Sequence, residues 1–165
     1  IQTYDEEHVL AERDCAELQY YMSRTGTTCK LSEDVCHGLT KAPHKVLLIS
    51  LEDKERLLQF ERDHREWARG RSTSVFSCLE YLEYGPLGTD KGTGIRFVRD
   101  YLKIEQENTY AVGDEQNDIP MIRAAGVGIA MRNAVEEAKA AADYVTERDN
   151  DHDAIAEIIE KFILD

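Results

Sequence analysis

Tyr110-Ala111-Val112-Gly113-Asp114-Glu115-Gln116-Asn117-Asp118 joins a short apolar run to a glycine and then to a cluster of oxygen-bearing side chains. An apolar run containing Tyr and Val reads as a buried strand. Gly113 ends it and lets the backbone turn without a side chain in the way. The turn delivers Asp114, Asn117 and Asp118, and Pro120 stands near the first position of a helix, where its missing N–H costs little. In open parallel sheets, ligands bind just beyond the carboxyl ends of the strands. Two carboxylates and an amide at such a crest form the hard, oxygen-rich surroundings that Mg²⁺ prefers. Asp and Asn are also common helix caps, and a lone Asp here would read as one. The whole pattern G-D-x-x-N-D after a strand favours the metal.

The rest of the second half keeps the same rhythm. A helix is expected over 91–102, strands over 108–112, 126–131 and 144–146, and helices over 118–125, 134–142 and 151–164. Strands alternating with helices predict βαβ units and a parallel sheet, hence an α/β fold.

Three features of this half bear on chemistry. Lys91 opens the first helix between Asp90 and Gly92. The helix dipole disfavours a cation there, so either it is a solvated Lys beside Asp90 or it serves a ligand. Beside a cluster of Mg²⁺-binding carboxylates, a Lys is suited to hold a phosphoryl group, whose transfer depends on positioning and charge stabilisation. The run Gly126-Val127-Gly128-Ile129-Ala130-Met131-Arg132-Asn133-Ala134 suggests tight packing of its glycines on the preceding helix, with Asn133 as a helix cap. Asn150-Asp151-His152-Asp153 reads as a capping turn, and no chemistry is assigned to His152.

The first half is patterned differently. A strand is expected over 1–4, an amphipathic helix from Val9 to Met22 broken by Thr25-Gly26-Thr27, and a short strand over 28–31. A short helix from Glu33 to Leu39, a strand over 45–51, a charged surface helix from Glu52 to Ala68, and an antiparallel pair over 72–76 and 78–84 complete it. Gly85-Pro86-Leu87-Gly88 is a turn cluster that marks a domain boundary.

Composition narrows the function classes. The 165 residues suffice for one ordinary domain or two small ones, and 42% hydrophobic residues support a true core. A formal net charge of −13 disfavours nucleic acid, whose binding needs a basic footprint, and an anionic membrane surface. A small phosphate ester remains open, since a metal and one Lys invert the field locally. The cysteines (Cys15, Cys29, Cys36 and Cys78) form no C-x-x-C pair, so reduced, partly buried thiols are expected rather than zinc. No apolar run approaches a membrane span and no signal-peptide pattern precedes the first polar residues, which makes the cytoplasm the expected compartment.

Thr89-Asp90-Lys91-Gly92, Gly113-Asp114 through Met121, Gly126 through Ala134 and Ala142-Asp143-Tyr144-Val145-Thr146 together resemble, in type, order and spacing, the C-terminal part of the Cof-type phosphatases of the haloacid dehalogenase superfamily. The resemblance is specific over 84–165 and looser over 1–83, through Gln2-Thr3-Tyr4, Lys45-Val46-Leu47 and the run from Phe76 to Tyr84. It implies part of a Rossmann-like, three-layer parallel core at 84–165 and an α+β cap that selects substrate at 1–83. It further implies Mg²⁺-dependent hydrolysis of a small phosphomonoester, of sugar-phosphate type, through an aspartyl-phosphate. By motif match Asp114 would ligate Mg²⁺, Asp118 would support the metal or its waters, Asn117 would position the phosphate or nucleophile loop, and Lys91 would neutralise charge on both.

The departures matter as much. The family's nucleophile motif, Asp-x-Asp-Gly-Thr, occurs nowhere in the sequence, nor does the strand ending in Ser or Thr ahead of the cap. The chain opens on Ile1 rather than Met, and with those absences it is expected to be a piece, inactive alone. Half a parallel sheet would expose an edge strand, so the chain is expected to dimerise, swap strands or aggregate through that edge, a homodimer being one such outcome. Glu115 stands where a smaller residue is usual, and Ala154 where Gly is usual. Two other readings stay open: a non-catalytic binding module derived from this family, and a phospho-acceptor receiver, which fits less well because receivers carry no large α+β insert.

Overall fold

In the computed structural model, which describes residues 1–39 and 41–164, the chain divides after Gly88 into two units, Ile1–Gly88 and Thr89–Asp165. The first begins with β1 (Gln2–Tyr4), where Asp5 turns the chain: its carboxylate accepts the N–H groups of Glu7 at 2.8 Å and His8 at 2.6 Å. The returning segment is β2 (Val9–Ala11), antiparallel to β1, and helix α1 (Ala16–Thr25) starts only beyond it. This corrects the helix expected from Val9. Val9, Leu10 and Ala11 are all buried, between β1 and the next strand, and a helix would have turned one of the three to solvent. Helix α1 stops where expected, at Gly26, whose φ of 66° caps it in the left-handed region.

Next come β3 (Cys29–Leu31), α2 (Val35–Gly38), β4 (Val46–Ile49), α3 (Lys54–Ala68), β5 (Ser72–Cys78) and β6 (Tyr81–Pro86). The strands lie in the order β3-β2-β1-β4-β6-β5. Only the β2–β3 pair is parallel. Two apolar clusters hold this sheet to its helices, one around Val9, Ala11 and Leu18, the other around Leu48, Leu57 and Leu82. The expected turn cluster is shorter than its composition suggests: Gly85 and Pro86 still pair with Thr73 and Ser72, and Pro86 is tolerated as the last residue of its strand.

The second unit comprises α4 (Lys91–Leu102), a 3-10 turn (Gln106–Asn108), β7 (Tyr110–Gly113) and a second 3-10 turn (Gln116–Asp118). It continues with α5 (Ile119–Ala124), β8 (Val127–Ala130), α6 (Glu136–Ala141), β9 (Tyr144–Val145) and α7 (Ala154–Phe162). Strands β7-β8-β9 form a wholly parallel sheet, as the alternating pattern predicts. Its core is built from small side chains: Ala130, Ala134 and Ala138 pack with Ile122. Gly128 is part of the same economy of space, because a Cβ there would sit 2.3 Å from the carbonyl oxygen of Ile122 in α5. Gly126 meets not that helix but the 3-10 turn, with the Gln106 carbonyl 2.2 Å from the place of a Cβ.

Two expected caps are absent. Val135 occupies the cap position of α6, and Asn133 instead accepts the N–H of Asn150 at 3.2 Å, tying two loops together. Asp153 precedes α7 with a φ of 63° and makes no capping bond; Asp149 holds that turn, accepting from Asp151 N at 3.1 Å. Cys15, Cys29 and Cys78 are half-buried and Cys36 is exposed. Among the described residues no helix is long and apolar enough to cross a membrane.

Candidate functional site

The carboxyl ends of β7, β8 and β9 lie side by side, so the loops that follow them share one crest. After β7 the backbone does not take a positive φ at Gly113. The glycine is required for space instead: a Cβ would fall 2.2 Å from the Cβ of Asp118. Asp118 can come this close because the turn folds back on itself. Its Oδ2 accepts the N–H groups of Asp114 at 3.0 Å and Glu115 at 3.1 Å, while the Glu115 side chain completes a reciprocal capping box. Its Oδ1 accepts from the Nζ of Lys91, across 27 residues of sequence.

Asp118 is 4% exposed and its carboxylate is wholly committed to this network. Lys91 is held there by α4, whose start is fixed by Asp90: that carboxylate accepts Thr93 N at 2.6 Å and the Thr93 hydroxyl at 2.9 Å. Burial pushes the Asp90 carboxyl up, but the Thr93 hydrogen bonds outweigh it and hold the group below its ordinary value. Gly92, buried, lets α4 lie against α5, since a Cβ there would meet the Pro120 carbonyl oxygen at 2.4 Å. The Lys side chain keeps 48% of its surface open to solvent, so an ammonium faces the crest while anchored on Asp118.

Asp114 is different. Among the described residues its carboxylate takes no hydrogen bond, though its carbonyl accepts Val135 N at 2.9 Å. Asn117 carries a buried Oδ1 that finds no partner among the described residues. One uncommitted carboxylate and one orphaned amide oxygen therefore stand in the same turn as a satisfied Asp118–Lys91 pair. Such a donor set fits a hard cation in part. Among the described residues no three His, Cys, Asp or Glu side chains converge on one point. Mg²⁺ is commonly held by one or two carboxylates, with waters and phosphate oxygens filling its other positions, and that sparse set is what this turn provides.

The remaining loops are fastened to this one. Met131 N donates to the Gly113 carbonyl at 3.0 Å. Thr146, buried, accepts Arg132 N at 3.0 Å and donates to the Arg148 carbonyl at 2.5 Å. Glu157, on α7, accepts from Glu147 N at 2.9 Å, Arg148 N at 3.0 Å and the Tyr144 hydroxyl at 2.8 Å. Glu157 is singled out by neither motif nor spacing, and Thr146 only as the end of the Ala142–Thr146 run with no role of its own, because their partners are set by the packing of loops distant in sequence. The structure thus brings together Lys91 and Asp118, and places Asp114 and Asn117 on the same turn.

A wholly parallel sheet with helices between its strands defines an α/β protein, a class in which ligands commonly meet the sheet at its strand ends. Residues 1–159 match the family of haloacid dehalogenase-like hydrolases, and the chain belongs to that family. It is 32% identical over 120 residues to a 5-amino-6-(5-phospho-D-ribitylamino)uracil phosphatase of Bacillus subtilis, a match covering 73% of this chain and 41% of that one. A second match, 35% over 92 residues, lies in the chloroplastic endoribonuclease YBEY of Arabidopsis thaliana, and covers 56% of this chain and 16% of that protein. The crystal structure of a haloacid dehalogenase-like hydrolase from Bacteroides thetaiotaomicron superposes with a TM-score of 0.81 at 31% identity, over 96% of this chain and 59% of that one. The chain therefore spans less than two thirds of the length of each of these relatives.

Proposed function

We propose that the crest of the second unit is the phosphate- and metal-handling part of a Mg²⁺-dependent phosphomonoesterase acting on a small phosphorylated metabolite of sugar-phosphate type. The observation that carries this reading is the division of labour in one turn: Asp118 is satisfied internally, whereas the Asp114 carboxylate takes no hydrogen bond among the described residues. In this reading Asp114 is the direct ligand of Mg²⁺. Asp118 fixes the turn by its backbone N–H bonds and steers Lys91, supporting the metal through position and charge. Asn117 directs its unpartnered Oδ1 to the metal's waters or to the loop that bears the nucleophile. Lys91 neutralises phosphate oxygens with the part of its ammonium left open. Bound there, Mg²⁺ supplies charge stabilisation for the phosphoryl group.

Residues 1–83 serve as the substrate-selecting cap and 84–165 as the second half of the core. Since the sequence contains no Asp-x-Asp-Gly-Thr, the 165 residues alone lack the nucleophile and are inactive. Self-association as a homodimer is supported by β7, one edge of which is unpaired among the described residues, and by exposed Phe97 and Tyr101 on α4. Sedimentation at rising protein concentration reads that directly, and a monomer throughout contradicts it. The functional reading is tested with a generic aryl phosphate and Mg²⁺, together with an intact mass from the source cells. No turnover is expected from these 165 residues, and a longer cellular species is expected to turn over and to lose that activity in Asp114→Ala. Turnover by the 165-residue chain, or activity that survives Asp114→Ala, would overturn it.

A further inference from the structure

The second unit carries another cluster of charge that the acidic turn does not use. Arg132 and Asn133 follow β8, Glu147, Arg148, Asp149 and His152 follow β9, and together they line a cleft of about 410 Å³. The two loops are locked to each other beneath it. Thr146 bridges Arg132 N and the Arg148 carbonyl, Asn133 accepts Asn150 N, and the Arg132 guanidinium reaches the Glu147 carbonyl at 3.4 Å. From behind, Glu157 accepts the N–H groups of Glu147 and Arg148. Loops tied at this many points hold their backbones in place before any ligand arrives, which is one condition for a preorganised site.

The charge in the cleft is unlike that of the molecule. Two guanidiniums and an imidazole face two carboxylates, and the Asp149 carboxylate is already occupied by His152 Nδ1 at 2.5 Å and Asp151 N. The hydrogen bond to Asp149, then its negative charge, raise the His152 pKa above its ordinary value, and Asp151 and Asp153 add to that pull. In a chain of net charge −13, the cleft gathers two guanidiniums and an imidazole beside the carboxylates of Glu147 and Asp149. Arg forks match phosphate oxygens in geometry as well as charge. We propose that this cleft is an anion subsite that takes a phosphate group, held by the guanidiniums of Arg132 and Arg148 with His152 Nε2 as a third donor. It adjoins the acidic turn, since Met131 and Val135, on either side of Arg132 and Asn133, donate to the carbonyls of Gly113 and Asp114. It needs neither Asp114 nor a metal.

The test follows the imidazole resonances of the 165-residue chain by NMR as inorganic phosphate is added at constant ionic strength, with His152→Gln identifying the signal. A saturable shift of His152 is expected. Arg148→Ala is expected to weaken the apparent affinity about tenfold, the usual scale for losing one charged hydrogen-bonding group. Asp114→Asn is expected to leave the response unchanged, which separates this subsite from the metal reading. A shift that does not saturate, that chloride reproduces, or that Arg148→Ala leaves unaltered would overturn the proposal.

Discussion

At the scale of single residues, the crest depends on one missing side chain and one buried carboxylate. Gly113 is needed not for an unusual φ but because Asp118 occupies the space where a Cβ would be, 2.2 Å away. Gly113→Ala must push Asp118 off the N–H groups of Asp114 and Glu115. Overpacking and the loss of those bonds are together expected to destabilise the second unit by about 2–4 kcal/mol. Chemical denaturation followed by a signal from that unit checks it, and a loss well under 1 kcal/mol would show that the turn relaxes at little cost. The sequence alone reveals that a glycine precedes an acidic cluster; it does not reveal which atom the glycine makes room for. The Lys91–Asp118 pair is likewise invisible to local pattern, because 27 residues separate its members. Its components were legible one by one: an unexpected cation at a helix start and an Asp at a strand-end turn. Their pairing is a product of how α4 lies on α5.

At the scale of elements, the strand–helix alternation of the second unit was legible because each period is local. Helix α4 runs over the residues its pattern predicts, 91–102. The miss was β2, where three consecutive buried residues have neither a helical nor an alternating period, and only pairing on both sides explains them. Loop fastening is the other gap. Glu157 looks like an ordinary surface residue of an amphipathic helix, yet it closes the loop after β9. Burial pushes its carboxyl up, but the N–H of Glu147, the Tyr144 hydroxyl and the N–H of Arg148 prevail and hold it below its ordinary value of 4.5. A depressed folded-state pKa stabilises above the unfolded value, and that contribution disappears as pH falls through the folded value. Glu157→Ala is therefore expected to cost about 1 kcal/mol at neutral pH and progressively less as pH drops below 4.5. Paired denaturation curves of wild type and variant across that range measure it. A difference independent of pH would mean that Glu157 acts through packing rather than through its charged hydrogen bonds.

At the scale of the whole molecule, the chain is two units, each with its own apolar core. Trp67, the single tryptophan, lies in the first, so its fluorescence reports that unit while substitutions at the crest act in the second. A Gly113→Ala variant is expected to shift a far-ultraviolet transition and leave the Trp67 transition in place. Movement of both together would show that the units unfold as one. Membership of the haloacid dehalogenase-like hydrolases follows from a match over residues 1–159, while the chemistry proposed for the chain turns on a single free carboxylate. The most direct measurement is a Mg²⁺ titration of the 165-residue chain, read from the backbone amide signals of Asp114 to Asp118. The account predicts saturable changes in those amides that vanish in Asp114→Asn while the fold, monitored through the remaining amides, is retained. Equal Mg²⁺ responses in the two proteins, or none in the wild type, would contradict it.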